Sequence, residues 1–105
     1  MAYGAVLRGT AVSEGYAMAF KAMCEKIGIK CLTVVGRLDN IDHCWNIVRI
    51  DNKYYHVDVS VCDEKGLEEG FLKTDADLLG SYWWDTEEYP RCEENSENIL
   101  ENGEE

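Results

Sequence analysis

Residues 43–60 (HCWNIVRIDNKYYHVDVS) restrict the fold of this chain more than any other stretch. Two runs rich in β-branched and aromatic residues flank Asp51-Asn52, a dipeptide that tolerates positive φ and so suits a tight primed turn. With those two residues as the loop, Ile50 pairs with Lys53, and counting back sets Trp45 opposite Asp58 and His43 opposite Ser60. Side chains alternate along a strand, so His43, Trp45 and Ile47 share one sheet face with His56, Asp58 and Ser60. The other face carries Cys44, Asn46 and Val48 against Tyr55, Val57 and Val59. Asp58 lies diagonal to His43, about 7–8 Å away between Cα atoms, a gap that two polar side chains can span. A histidine oriented by an aspartate forms two members of a nucleophilic triad, and the third must be brought alongside by another element.

Upstream of the hairpin, residues 14–27 read as a helix. Tyr16, Phe20, Met23 or Cys24, and Ile27 fall at i, i+4, i+7/8 and i+11. Ser13 is a suitable N-cap immediately before it, and Gly28 a suitable terminator. Residues 1–10 (MAYGAVLRGT) are apolar and glycine-punctuated without a clean period, which reads as an irregular lead-in to a domain whose earlier part is missing. Residues 30–36 read as a strand, 37–42 as a polar connection and 61–70 as an acidic loop. Beyond these come a short strand at 71–73, one helical turn at 75–80 and an aromatic segment at Tyr82-Trp83-Trp84. One helix followed by several antiparallel strands makes an α+β domain.

A chain of 105 residues gives one small domain, and eleven aromatics with 46% apolar residues exclude global disorder. No apolar run approaches the roughly 20 residues of a membrane span, and no signal peptide opens the chain. The net charge of −11 opposes nucleic-acid binding. Six of the acids lie in residues 93–105 with no base among them, so the remainder carries −5. Residues 1–92 are therefore read as the domain and 93–105 as an acidic, disordered tail. The five cysteines form no C-x-x-C pair, which leaves a structural zinc site without support. Neither a metal nor a cofactor is expected.

The candidate third residue is Ser13. A helix N-terminus favours negative charge through its free N–H groups and macrodipole, lowers a thiol's pKa and offers donors to an oxyanion. Here the chain resembles the transglutaminase-like superfamily, whose fold is that of the papain-like cysteine proteases. Three blocks carry the resemblance in order: Val12-Ser13-Glu14-Gly15-Tyr16-Ala17, His43-Cys44-Trp45-Asn46, and Tyr54-Tyr55-His56-Val57-Asp58-Val59-Ser60. Family members read V-C-x-G-Y-A, H-x-W-N and W-Y-H-V-D-x-T at these places. Tyr3-Gly4-Ala5-Val6, Phe71-Leu72 and Trp84-Asp85 extend the likeness to roughly residues 3–92.

The resemblance implies a central helix packed on a small antiparallel sheet, and a site made of Ser13, His43 as general base and Asp58 as its orienting acid. It implies acyl transfer on glutamine carboxamides or peptide bonds, with a peptide or protein as substrate. Ser13 stands where the family has its nucleophilic cysteine. A thiol can be held as a thiolate beside an imidazolium, whereas a hydroxyl cannot be pre-ionised, so a strong loss of activity is expected. Ser13 admits three readings: a substitution silencing a cysteine enzyme, a serine nucleophile, or a helix cap in a non-catalytic peptide-binding module on the same fold.

Overall fold

The computed structural model describes the backbone of residues 2–93 and the side chains of residues 10–93, so most of the acidic tail lies outside the described residues. The elements run α1 (Ala2–Lys26), β1 (Cys31–Leu38), β2 (Ile41–Ile50), β3 (Lys53–Val57), α2 (Val59–Lys65), α3 (Leu67–Gly70), α4 (Asp75–Leu78) and β4 (Tyr82–Trp83), with a 3₁₀ turn at Thr86–Glu88. The strands form one antiparallel sheet in the order β3-β2-β1-β4. The domain is α+β.

α1 covers one sheet face. Ser13, Ala17 and Cys24 recur at i, i+4 and i+11, all buried, while Met23 and Ile27 stay exposed. Cys24 packs with Cys31, Val48 and Val57, and Phe20, Tyr55 and Leu72 lie against that cluster. Asn46 fastens the helix to the sheet, its Nδ2 donating to the Ala17 carbonyl at 3.1 Å and to the Leu32 carbonyl at 3.2 Å. On the opposite face Val34, Trp45, Ile47, Leu78, Trp84 and Cys92 form a second core. The two alternating faces of β2 thus feed two cores, the expected result of a period-2 strand covered on both sides.

The hairpin keeps the expected register, with Ile50 opposite Lys53, Ile47 opposite His56 and Asn46 opposite Val57. Its turn has positive φ at both positions, 55° at Asp51 and 67° at Asn52. The pairing stops at Val57, not at Ser60. Asp58 leaves the strand to become the N-cap of α2, its Oδ1 accepting the Val61 N–H at 3.2 Å, and Ser60 lies within that helix. The expected loop over 61–70 is therefore largely helical.

Three further expectations are corrected. Residues 2–10 are helical, because the helical backbone continues unbroken through Gly4 and Gly9, each of which weakens a helix only by about 1 kcal/mol relative to Ala. The connection at 37–42 is a two-residue turn, Asp39-Asn40, with φ of 52° and 67° like its counterpart in the hairpin. The strand expected at 71–73 reduces to a single bridge between Lys73 and His56.

β4 reaches the sheet edge by pairing Trp83 with Arg37 and Tyr82 with Leu38. Gly36 permits this approach, since a Cβ there would lie 2.2 Å from the Trp83 carbonyl oxygen and 2.7 Å from the Trp45 ring. All five cysteines are free thiols; four are buried and Cys62, in α2, is partly exposed. Among the described residues no helix is long and apolar enough to cross a membrane.

Candidate active site

His43 sits within β2 and Asp58 just beyond β3, as the N-cap of α2. Their side chains meet with His43 Nε2 2.7 Å from Asp58 Oδ2. A second donor reaches the same oxygen, the Tyr82 hydroxyl at 2.7 Å. An ionised carboxylate only accepts, so His43 donates to it from Nε2, and whenever the ring is neutral its lone pair lies on Nδ1. Among the described residues no group hydrogen-bonds Nδ1, and the His43 side chain is 12% exposed, so that atom remains available. The ring is held by Trp45, stacked at 6.0 Å between centroids, and by the edge of Tyr82 at 6.3 Å.

Ser13 is not an N-cap. It lies inside α1, and its hydroxyl donates to the Thr10 carbonyl at 3.0 Å, the i−3 back-bond of a mid-helix serine. Its Oγ accepts the backbone N–H of Cys44 at 3.1 Å, one residue beyond His43. Ser13 is thus buried beside β2 and next in space to the His43 backbone, but no hydrogen bond joins Ser13 to His43 among the described residues. Ser13 therefore has no helix-terminus amides to offer an anion, because only the first four amides of a helix lack intrahelical acceptors.

None of the native thiols with a displaced pKa is activated. Burial pushes Cys44 up, with Glu14 and Asp42 adding to it, and raises Cys62, where the Asp58 charge contributes. Cys31 is pushed up to about 12, and Cys92 also rises, chiefly by burial. Cys62 hydrogen-bonds the Leu67 carbonyl from within α2 and does not extend the hairpin.

His56 and Asp75 form a second histidine–aspartate pair. The Trp45 indole N–H donates to His56 Nδ1 at 3.0 Å, and His56 Nε2 lies 2.7 Å from Asp75 Oδ1. Since the indole can only donate, His56 Nδ1 must be an acceptor, so the ring is neutral and donates from Nε2 to Asp75. Burial lowers the His56 pKa, and Asp75 opposes that without reversing it. His56, Asp75 and Cys92 bring ligand-type atoms within 4.8 Å of one another. This donor set does not fit a cation, because both imidazole nitrogens are committed and the Asp75 Oδ2 accepts the Cys92 N–H at 3.2 Å.

The sequence reading missed two site-forming groups. From the sequence, Tyr82 reads only as part of an aromatic segment and Asp75 only as part of a helical turn. Asp75 follows the N-cap Thr74, whose capping box with Asp77 was a readable signal for a helix start at that point. No local pattern marks Tyr82 as a partner of Asp58.

A helix thus lies across an antiparallel sheet, with His43 of β2 bonded to Asp58 just beyond β3 and Ser13 of the helix bonded to the β2 backbone. The chain belongs to the transglutaminase-like superfamily, whose family model matches residues 2–59. No curated protein and no solved structure matches it.

Proposed function

We propose that this domain is an acyl-transfer site of the cysteine-peptidase type, acting on peptide or glutamine amides, and silent or impaired because Ser13 occupies the nucleophile position. The observation that carries the reading is the His43–Asp58 bond of 2.7 Å with His43 Nδ1 left available. In a cysteine form, Nδ1 takes the thiol proton and the thiolate attacks the amide carbon. The imidazolium then gives that proton to the departing amine. Water attacks the acyl-enzyme with Nδ1 as base and restores the thiol. Asp58 holds the ring in the tautomer this requires and stabilises the imidazolium.

Ser13 does not enter that sequence as it stands, since its proton is directed at the Thr10 carbonyl and not at His43. The same observation favours the second reading, a peptide-binding module in which Ser13 joins α1 to β2.

Ser13→Cys separates the two. Under the enzyme reading, the new thiol is alkylated by iodoacetamide near pH 6.5 about tenfold or more faster than a model thiol, which is only about 1% thiolate there. His43→Ala in that background removes the excess. Because no helix terminus assists, the effect depends on His43 alone. A new thiol that reacts like a model thiol, with or without His43, sinks the enzyme reading.

A further inference from the structure

Asp58 is the convergence point of three donors from three elements. Oδ2 takes the His43 Nε2–H and the Tyr82 hydroxyl, both at 2.7 Å, and Oδ1 takes the Val61 N–H of α2 at 3.2 Å. Tyr82 arrives from β4, a two-residue strand at the sheet edge, 24 residues along the chain from Asp58. Its ring edge also packs on Trp45, with centroids 5.0 Å apart. Tyr82 therefore touches both members of the pair: the ring meets His43 and the hydroxyl meets Asp58. Burial and the Asp58 charge raise the phenol's pKa, which keeps the hydroxyl protonated and donating. Asp39, Lys65, Glu69, Lys73 and Asp77 line the cavity of about 180 Å³ against which Tyr82 lies, so the phenol is surrounded by charge of both signs.

We infer that Tyr82 is a positioning residue for the His43–Asp58 pair, its hydroxyl fixing the carboxylate and sharing the charge of the oxygen that His43 uses. Two donors on one oxygen compete for the same charge. Removing the hydroxyl leaves Oδ2 to His43 alone, so the His43 Nε2–H···Oδ2 bond strengthens while the carboxylate loses one of its three anchors. The first effect is electronic and the second geometric, and they move different observables. The catalytic meaning of the residue rests on the proposed function; the coupling does not.

The experiment is ¹H–¹⁵N NMR of the imidazole N–H groups in the full chain and in Tyr82→Phe. Only two histidines are present, and His56 serves as the internal reference. The inference expects the His43 Nε2–H resonance to move downfield in Tyr82→Phe while the His56 Nε2–H resonance stays in place, which also reports an intact core. It further expects the displacement to vanish when Asp58→Asn is the background, because the phenol acts through that carboxylate. An unmoved or upfield His43 signal overturns it, and so does an equal displacement in the Asp58→Asn background, which would assign the effect to ring contact.

A second arm uses the Ser13→Cys chain, where adding Tyr82→Phe should lower His43-dependent alkylation about 3- to 10-fold through looser placement of the ring. The outcomes separate cleanly. A displaced resonance with no His43-dependent thiol reactivity keeps Tyr82 coupled to the pair and removes the acyl-transfer reading. A reactive thiol with an unmoved resonance keeps that reading and removes Tyr82 from it.

Discussion

The two histidine–aspartate pairs have the same residue types and the same separation, 2.7 Å from Nε2 to carboxylate oxygen in each, yet they differ in what meets the other nitrogen. At His56 both nitrogens are spent, on Trp45 and Asp75, and the ring is 1% exposed. At His43 one nitrogen is spent and the other remains, with the ring 12% exposed. The first pair can only be broken; the second can be used. A pair of this kind is therefore classed not by its distance but by whether the far nitrogen has a partner. Position along one hairpin decides it. Ile47, opposite His56, lies inside the β2–β3 ladder and packs in the core with Trp84 and with Leu78 of α4, whereas His43 lies beyond the last β2–β3 partner, Asn46.

The largest effect expected from this contrast is on stability. His56→Ala strands a buried indole N–H, takes one of two donors from Asp75 and opens a cavity between Trp45 and Trp84. Removing one partner from a buried polar network costs about 3–5 kcal/mol, a large part of the 5–15 kcal/mol typical of a domain. The urea midpoint should fall accordingly. A fall worth under about 1 kcal/mol would mean that the relay is not buried as the structure has it.

How far this contrast was legible in the sequence depended on the reach of each signal. The hairpin register was readable because Asp51-Asn52 fixes a two-residue turn, and with it the face shared by His43 and Asp58. The same dipeptide at Asp39-Asn40 carried an equal signal for the second turn, obscured by the polar residues around it. Ser13 misled because serine is both a favoured N-cap and tolerable mid-helix, and its back-bond to Thr10 is invisible without coordinates. Asp58 was likewise an N-cap candidate, masked by the β-branched Val57, Val59 and Val61 that read as continuing strand. The Tyr82–Asp58 and His56–Asp75 contacts span 24 and 19 residues with no period to announce them. Contacts of that range follow from how β4 and α4 pack, which residue types alone do not specify.

A smaller effect sharpens the contrast through pH. An unfolded histidine takes up a proton near pH 6.5, whereas burial holds the folded His56 below that value. Between the two midpoints the unfolded chain binds more protons, so stability falls as pH drops below about 6.5 and is fully present above it. One group can contribute at most about 1.4 kcal/mol per pH unit. His56→Gln has no titrating ring, so the stability gap between wild type and this variant should narrow from pH 7.5 to 5.5. A gap that widens in acid would make His56–Asp75 a charged ion pair and reverse the tautomer assignment.

The smallest expected effect is the stability change from His43→Ala. Its removal leaves Asp58 with two of its three donors, the Tyr82 hydroxyl and the Val61 N–H, so the carboxylate is not orphaned. Trp45 loses one ring neighbour but keeps its edge contacts with Tyr82 and Trp84 at 5.0 and 6.1 Å. The ring itself is at the margin of the core, and water can replace part of what it covered. These terms sum to about 1 kcal/mol, the size of a partly exposed hydrogen bond plus modest contact. In the Ser13→Cys chain the same substitution should abolish the excess thiol reactivity. Large functional and small structural consequences at His43, against the reverse at His56, would establish the division between a usable pair and a locked one. Equal losses of stability at the two positions would show that His43 is instead another member of the core.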